Sequence, residues 1–159
     1  MKKTISTIVC MIFLLCGMSV MAQGDITKQI EEGKAVKVNK EQFLKYIYDF
    51  EKNPQEWVYE GKKPCIIDFY ADWCGPCRKL APIMSSIASK YKGEVIVYKV
   101  DTEAQRELAA FFGIKSLPTI VFVPAKGTPQ AAMGLMPEED IEKYIESVIG
   151  VSKTAKKDI

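Results

Sequence analysis

The chain contains no histidine. That absence removes imidazole acid–base catalysis, Ser–His and Cys–His nucleophilic pairs, and every metal site that needs a histidine ligand. Cysteine is scarce, five in 159 residues, and two of them, Cys10 and Cys16, lie in the first 22. The other three, Cys65, Cys74 and Cys77, are too few for a fully paired framework, so this is no small scaffold stapled by disulfides. The leading apolar segment, Ile8 to Leu15, is too short for an ordinary membrane span. What remains is ordinary globular material, 48% apolar and 26% charged, enough for one domain with one core.

The first residues read as a targeting segment. Met1-Lys2-Lys3 is a basic start, Ile8 to Leu15 an apolar core, and Val20-Met21-Ala22 a small-residue cleavage site before Gln23. An exported chain cut after Ala22 is therefore expected. The competing readings are an uncleaved anchor and a lipid on Cys16, the latter disfavoured because Leu15 stands where a small residue is usual. Cleavage removes Lys2 and Lys3 and no acid, which leaves 20 basic against 20 acidic residues. A neutral chain offers no electrostatic reason to bind nucleic acid or an anionic membrane.

Residues 23–34 read as a loose lead-in, 35–150 as the domain, and 151–159 as a polar tail. Within the domain, Ala35 to Val38 predicts a short strand. Asn39 with Gln42 predicts a capped helix carrying Phe43, Leu44, Ile47 and Phe50 inward and closing at Asn53-Pro54. Cys65 to Tyr70 predicts a strand buried on both faces. Leu80, Ile83, Met84, Ile87, Ala88 and Tyr91 fall at helical spacing, with a kink at Pro82 and a stop at Gly93. Val95 to Val100 predicts a strand, and Thr102 with Gln105 a second capping box for a helix through Phe112. Thr119 to Val123 and Gln130 to Met133 predict a hairpin, and a last helix runs from Pro137 to Gly150. The order β-α-β-α-β-α-β-β-α predicts an α/β fold, a mixed central sheet flanked by helices on both faces.

Trp73-Cys74-Gly75-Pro76-Cys77 falls where a buried strand meets a helix. Two residues between thiols let the side chains meet across the first helical turn, so a disulfide closes and opens with little backbone change. At a helix N-terminus, backbone N–H groups stabilise the Cys74 thiolate and lower its pKa from about 8.5. Cys77, one turn in, is expected to be the less exposed thiol. Half a zinc site shares this spacing, but only Cys65 is left over to complete it. A static structural disulfide is the other alternative, and so short a loop restricts the unfolded chain little.

The segment Ile66 to Pro82, I-I-D-F-Y-A-D-W-C-G-P-C-R-K-L-A-P, closely resembles the thioredoxin family. The resemblance continues through Tyr98 to Asp101, Gly113 to Thr119, Gly127 and Gly134, and covers roughly residues 35–150. It implies a thioredoxin fold and a redox couple formed by Cys74, the nucleophile, and Cys77, the resolving thiol. Asp68 matches the family's buried acid, and implies a proton acceptor for Cys77 through water, with Lys99 as its charge partner. Burial should raise its pKa and Lys99 oppose the rise. A buried Asp68–Lys99 pair that is only structural is the alternative.

Pro118 resembles the cis-proline that faces the disulfide. It implies that Leu117 presents backbone to an extended substrate. Trp73, Thr102, Leu117, Met133 and Gly134 would line a shallow apolar groove, with Gly134 leaving room for the peptide; for Trp73 and Met133 the alternative is ordinary packing. Three positions depart from the family: Tyr70 replaces a usual tryptophan, Arg78 a usual lysine, and Cys65 is extra and expected to be inert.

The resemblance implies no metal and no cofactor beyond the cysteine pair, and a monomer acting on protein disulfides. Gly-Pro between the cysteines resembles the reducing members, so a secreted reductant is expected, supplied with electrons by a membrane thiol carrier. A disulfide-forming oxidase, a non-catalytic holdase and a metal-binding protein are the competing readings.

Overall fold

The computed structural model describes residues 26–152, so the predicted targeting segment, Cys10, Cys16 and most of the predicted tail lie outside the described residues. The order is α1 (Ile26–Glu31), β1 (Val36–Lys37), α2 (Lys40–Tyr46), β2 (Cys65–Tyr70), α3 (Gly75–Lys90), β3 (Ile96–Asp101), α4 (Arg106–Phe111), β4 (Thr119–Val123), β5 (Gln130–Met133) and α5 (Glu138–Tyr144). A π-helical turn, Ile145–Ile149, extends α5. The five strands form one sheet in the order β1-β3-β2-β4-β5. β1 and β2 run parallel to β3, while β4 is antiparallel to β2 and to β5. The expected mixed sheet is present, preceded by one helix, α1, where the sequence predicts a loose lead-in.

β2 sits at the centre, and its residues are buried on both faces, as their continuous apolarity predicts. Alternation along it divides the core. Ile67 and Phe69 pack with Phe43 and Leu108 from α2 and α4. Ile66 packs on the other face with Leu80, Met84 and Ile141 from α3 and α5. Burying each such side chain stabilises the fold by roughly 1.5–3 kcal/mol, so either layer outweighs any single surface ion pair.

Three local expectations need correction. α1 forms because Ile26 and Ile30 share one helical face and pack on the core. Gly33 (φ +70°) closes it, passing close to Lys92, where an added Cβ would meet that side chain at 3.0 Å. α2 carries the predicted Asn39–Gln42 capping box but ends at Tyr46. The chain then bends so that Tyr48 bridges Tyr59, and Phe50 is buried from a loop, its ring 4.1 Å from that of Phe111. The Thr102–Gln105 capping box does not form. Thr102 donates its hydroxyl to the Tyr70 carbonyl, and Gln105 accepts from the distant Lys40 N–H. Pro82 lies inside α3, as expected.

Candidate active site

The end of β2 delivers the chain into the turn Ala71 to Cys74, closed by the Cys74 N–H donating to the Ala71 carbonyl at 3.1 Å. Cys74 is the N-cap of α3, in extended conformation, and its sulfur accepts the Cys77 N–H at 3.2 Å. Gly75 and Pro76 form the first helical positions, where a missing proline N–H costs nothing. This geometry holds Cys74 and Cys77 in a disulfide, with Cα atoms 5.2 Å apart and S–S 2.06 Å.

Both cysteines are 4% exposed, so Cys77 is not the less exposed of the two in this oxidised state. Leu117 packs against the small buried cluster that the two cysteines form with Tyr70 and Ala71. Arg78 turns back to donate to the Asp72 carbonyl at 3.1 Å, which ties the active-site turn to the first turn of α3.

Facing the pair, the Leu117–Pro118 peptide bond is cis. The Pro118 carbonyl accepts the Gly134 N–H at 2.8 Å, which joins the start of β4 to the end of β5 beside the cysteines. Gly134 has φ +93°, and a Cβ there would meet nothing within 4 Å. The backbone conformation itself therefore favours glycine, where the sequence reading invoked room for a peptide.

Asp68 is 1% exposed in the middle of β2, and its Oδ1 has no hydrogen-bond partner. Burial pushes its pKa up to about 6, with the positive charge of Lys99 opposing the rise. Lys99 is its register neighbour on β3, yet no direct ion pair forms between them among the described residues. Its ammonium instead lies 4.4 Å from the centre of the Tyr70 ring. Lys99 thus acts on Asp68 as the expected charge partner, through its field and without a direct ion pair. Tyr70, the last residue of β2, belongs to the same small buried cluster as Ala71 and the two cysteines.

The groove predicted as one surface is three adjoining depressions. Trp73, Thr102 and Leu117 line the first, of about 400 Å³, together with Cys74. Gly134 lines a second with Gly75 and Pro76, and Met133 a third. Trp73 is 68% and Met133 74% exposed, so neither serves as ordinary core packing. The sequence reading missed Glu103, Ile114, Lys115 and Leu135 as lining residues. Ile114 and Lys115 lie within the Gly113–Thr119 segment that resembles the family, which is the signal for them in the sequence.

Cys65 lies on the fully buried first position of β2, and burial pushes its thiol up to about 12. It stays protonated at physiological pH and is unreactive as a nucleophile. Among the described residues no cluster of three or more histidine, cysteine, aspartate or glutamate side chains is placed to hold a metal ion.

Comparison with known proteins accounts for this geometry. The Thioredoxin family model matches residues 34–147. A thioredoxin of Borreliella burgdorferi is 40% identical over 116 residues, 73% of this chain and 98% of that one. A thioredoxin of Chlorobaculum thiosulfatiphilum is 32% identical over 106 residues, 67% of this chain and 98% of that one. The crystal structure of chloroplastic thioredoxin z superposes with a TM-score of 0.61 at 27% identity, covering 74% of this chain and 96% of that one. With its Cys-x-x-Cys pair closed at the start of α3 and no cofactor needed, this chain belongs to the thioredoxin family and is a thiol–disulfide oxidoreductase.

Proposed function

We propose that this chain is an exported, monomeric thioredoxin that reduces protein disulfides, with Cys74 as nucleophile and Cys77 as resolving thiol. The observation that carries the reading is the Gly-Pro-spaced pair at the N-terminus of α3, faced by the cis Leu117–Pro118 bond. In the reduced protein the Cys74 thiolate attacks one sulfur of a client disulfide. A bond forms between Cys74 and that sulfur, the client S–S bond breaks, and the other client sulfur leaves as thiolate.

Cys77 then attacks Cys74 Sγ. Asp68 accepts its proton through water, the second client thiolate leaves, and the Cys74–Cys77 disulfide is restored. The client gains two electrons and the cysteine pair loses two. Lys99 tunes Asp68 from the neighbouring strand, while Trp73, Thr102, Leu117, Met133 and Gly134 contact the client around Pro118.

Export rests on the order of basic start, apolar core and small-residue site in residues 1–22. Outside the cytoplasm the pair must be re-reduced by electrons carried across the membrane, hence a membrane thiol carrier as partner. Expression of the full chain in a bacterium, followed by fractionation and N-terminal sequencing, tests the location. The expected product is an exported chain beginning at Gln23. An intact chain retained in the cytoplasm, or a lipid-bearing chain beginning at Cys16, contradicts it.

A further inference from the structure

Five large apolar side chains stand exposed among the described residues, and three of them, Trp73, Met133 and Leu135, line the three adjoining depressions, Trp73 and Leu135 those next to the reactive pair. On the Met133 side this apolar surface leads into the third depression, of about 300 Å³, walled by Trp57, Phe112, Val121, Ala131 and Met133. It is continuous with the cysteine groove, because Ile114 and Lys115 belong to both. Register pairing sets its direction: Thr119 lies beside Met133 and Val121 beside Ala131, so it runs along β4 and β5 away from Pro118. β5 is the sheet edge, and among the described residues no further strand lies beside it.

The far wall comes from outside the active-site motifs. Trp57 belongs to the segment between α2 and β2, folded back by the Tyr48–Tyr59 bridge. Its ring is held 4.5 Å from that of Tyr48 and 6.4 Å from that of Phe112. Apart from Lys115 at the junction, no charged side chain lines the depression, so a buried acid or amide of a ligand finds little to pair with.

We propose that this depression is a specificity subsite for the client polypeptide. It takes one apolar side chain, aliphatic or aromatic, a few residues from the client cysteine attacked by Cys74. The inference rests on the disulfide-exchange reading above. A client laid against the Leu117 backbone to reach Cys74 continues past Ile114 and Met133, and its alternate side chains turn toward the sheet edge. The groove and the subsite are thereby parts of one interface, and burial of the apolar side chain strengthens docking without altering the chemistry at sulfur.

The test uses fluorogenic disulfide peptides in which a single phenylalanine or leucine, against serine, is scanned over about six residues on either side of the cysteine, a reach of ~20 Å. At one or two positions the apolar peptide should show a kcat/KM roughly tenfold above the serine peptide. Ala131 is exposed on β5, so Ala131→Glu sets a carboxylate at the mouth without touching the core, and the preference should vanish. Should that variant fail to fold, Met133→Glu reads the same effect. A small aromatic disulfide, too short to reach the subsite, reports the cysteine pair alone.

Equal rates for apolar and serine peptides at every position overturn the subsite, as does a preference that survives the introduced carboxylate. Failure to reduce even the small disulfide overturns the reductase reading instead.

Discussion

Cys77→Ser is expected to stall the reduced protein on its client as a stable mixed disulfide through Cys74, and Cys74→Ser to bring reduction to the uncatalysed rate without trapping anything. The asymmetry follows from position. Cys74 caps α3 and its sulfur accepts the Cys77 N–H, so the helix N-terminus stabilises negative charge on this sulfur. Serine at 77 keeps the attack and removes the one thiol that, among the described residues, is placed to resolve its product. Loss of the crosslink itself costs little stability, ~2 kcal/mol for a loop of about four residues in the chain-entropy treatment. Both variants therefore fold, and the change is chemical. Mass spectrometry of each protein with a disulfide-bearing client reads the outcome; adducts on the Cys74→Ser protein instead would reverse the assigned roles.

The second large effect concerns Asp68. Its folded pKa of about 6 stands above the ordinary carboxyl value of 3.8 because the side chain is buried, with Lys99 only partly compensating. Between about pH 4 and pH 6 the folded chain holds a proton that the unfolded chain has released. Stability thus falls as pH rises through that window and stays lowered above it. At ~1.4 kcal/mol for each factor of ten in the acid constant, ionisation in place costs roughly 3 kcal/mol. Asp68→Asn cannot ionise, so its stability relative to the parent should rise by about that amount from pH 4 to pH 7. Denaturant unfolding of the two oxidised proteins across this range measures it; parallel pH profiles would remove Asp68 as the titrating group. The same variant should resolve mixed disulfides more slowly, by roughly a hundredfold for a lost proton acceptor. Greater stability at the expense of turnover would mark the carboxylate as retained for chemistry.

Much of this arrangement was legible in the sequence because it is local. The continuous apolarity of Cys65–Tyr70, the hairpin strands Thr119–Val123 and Gln130–Met133, and the Asn39–Gln42 capping box each specify their element within a few residues. The Cys-x-x-Cys turn was legible from its spacing where a buried strand meets a helix, and the cis-proline through resemblance to a family. What was not legible depends on distant partners. Gln105 matches a capping pattern as well as Gln42 does, but its side chain bonds Lys40, 65 positions away. Lys99 lies opposite Asp68 in register, as a pairing argument requires, yet its ammonium rests over the Tyr70 ring. Trp57 enters the client-facing surface only because the Tyr48–Tyr59 bridge folds its segment back, and nothing near Trp57 in sequence announces that.

The central proposal, that the pair works as a reductant, is tested most directly by the reduction potential of Cys74–Cys77 in the proposed mature chain, residues 23–159, equilibrated against defined thiol–disulfide buffers. The account predicts a value close to the thioredoxin reference of about −270 mV. A value near −120 mV, that of strongly oxidising exported enzymes, would contradict it and make the chain a disulfide donor.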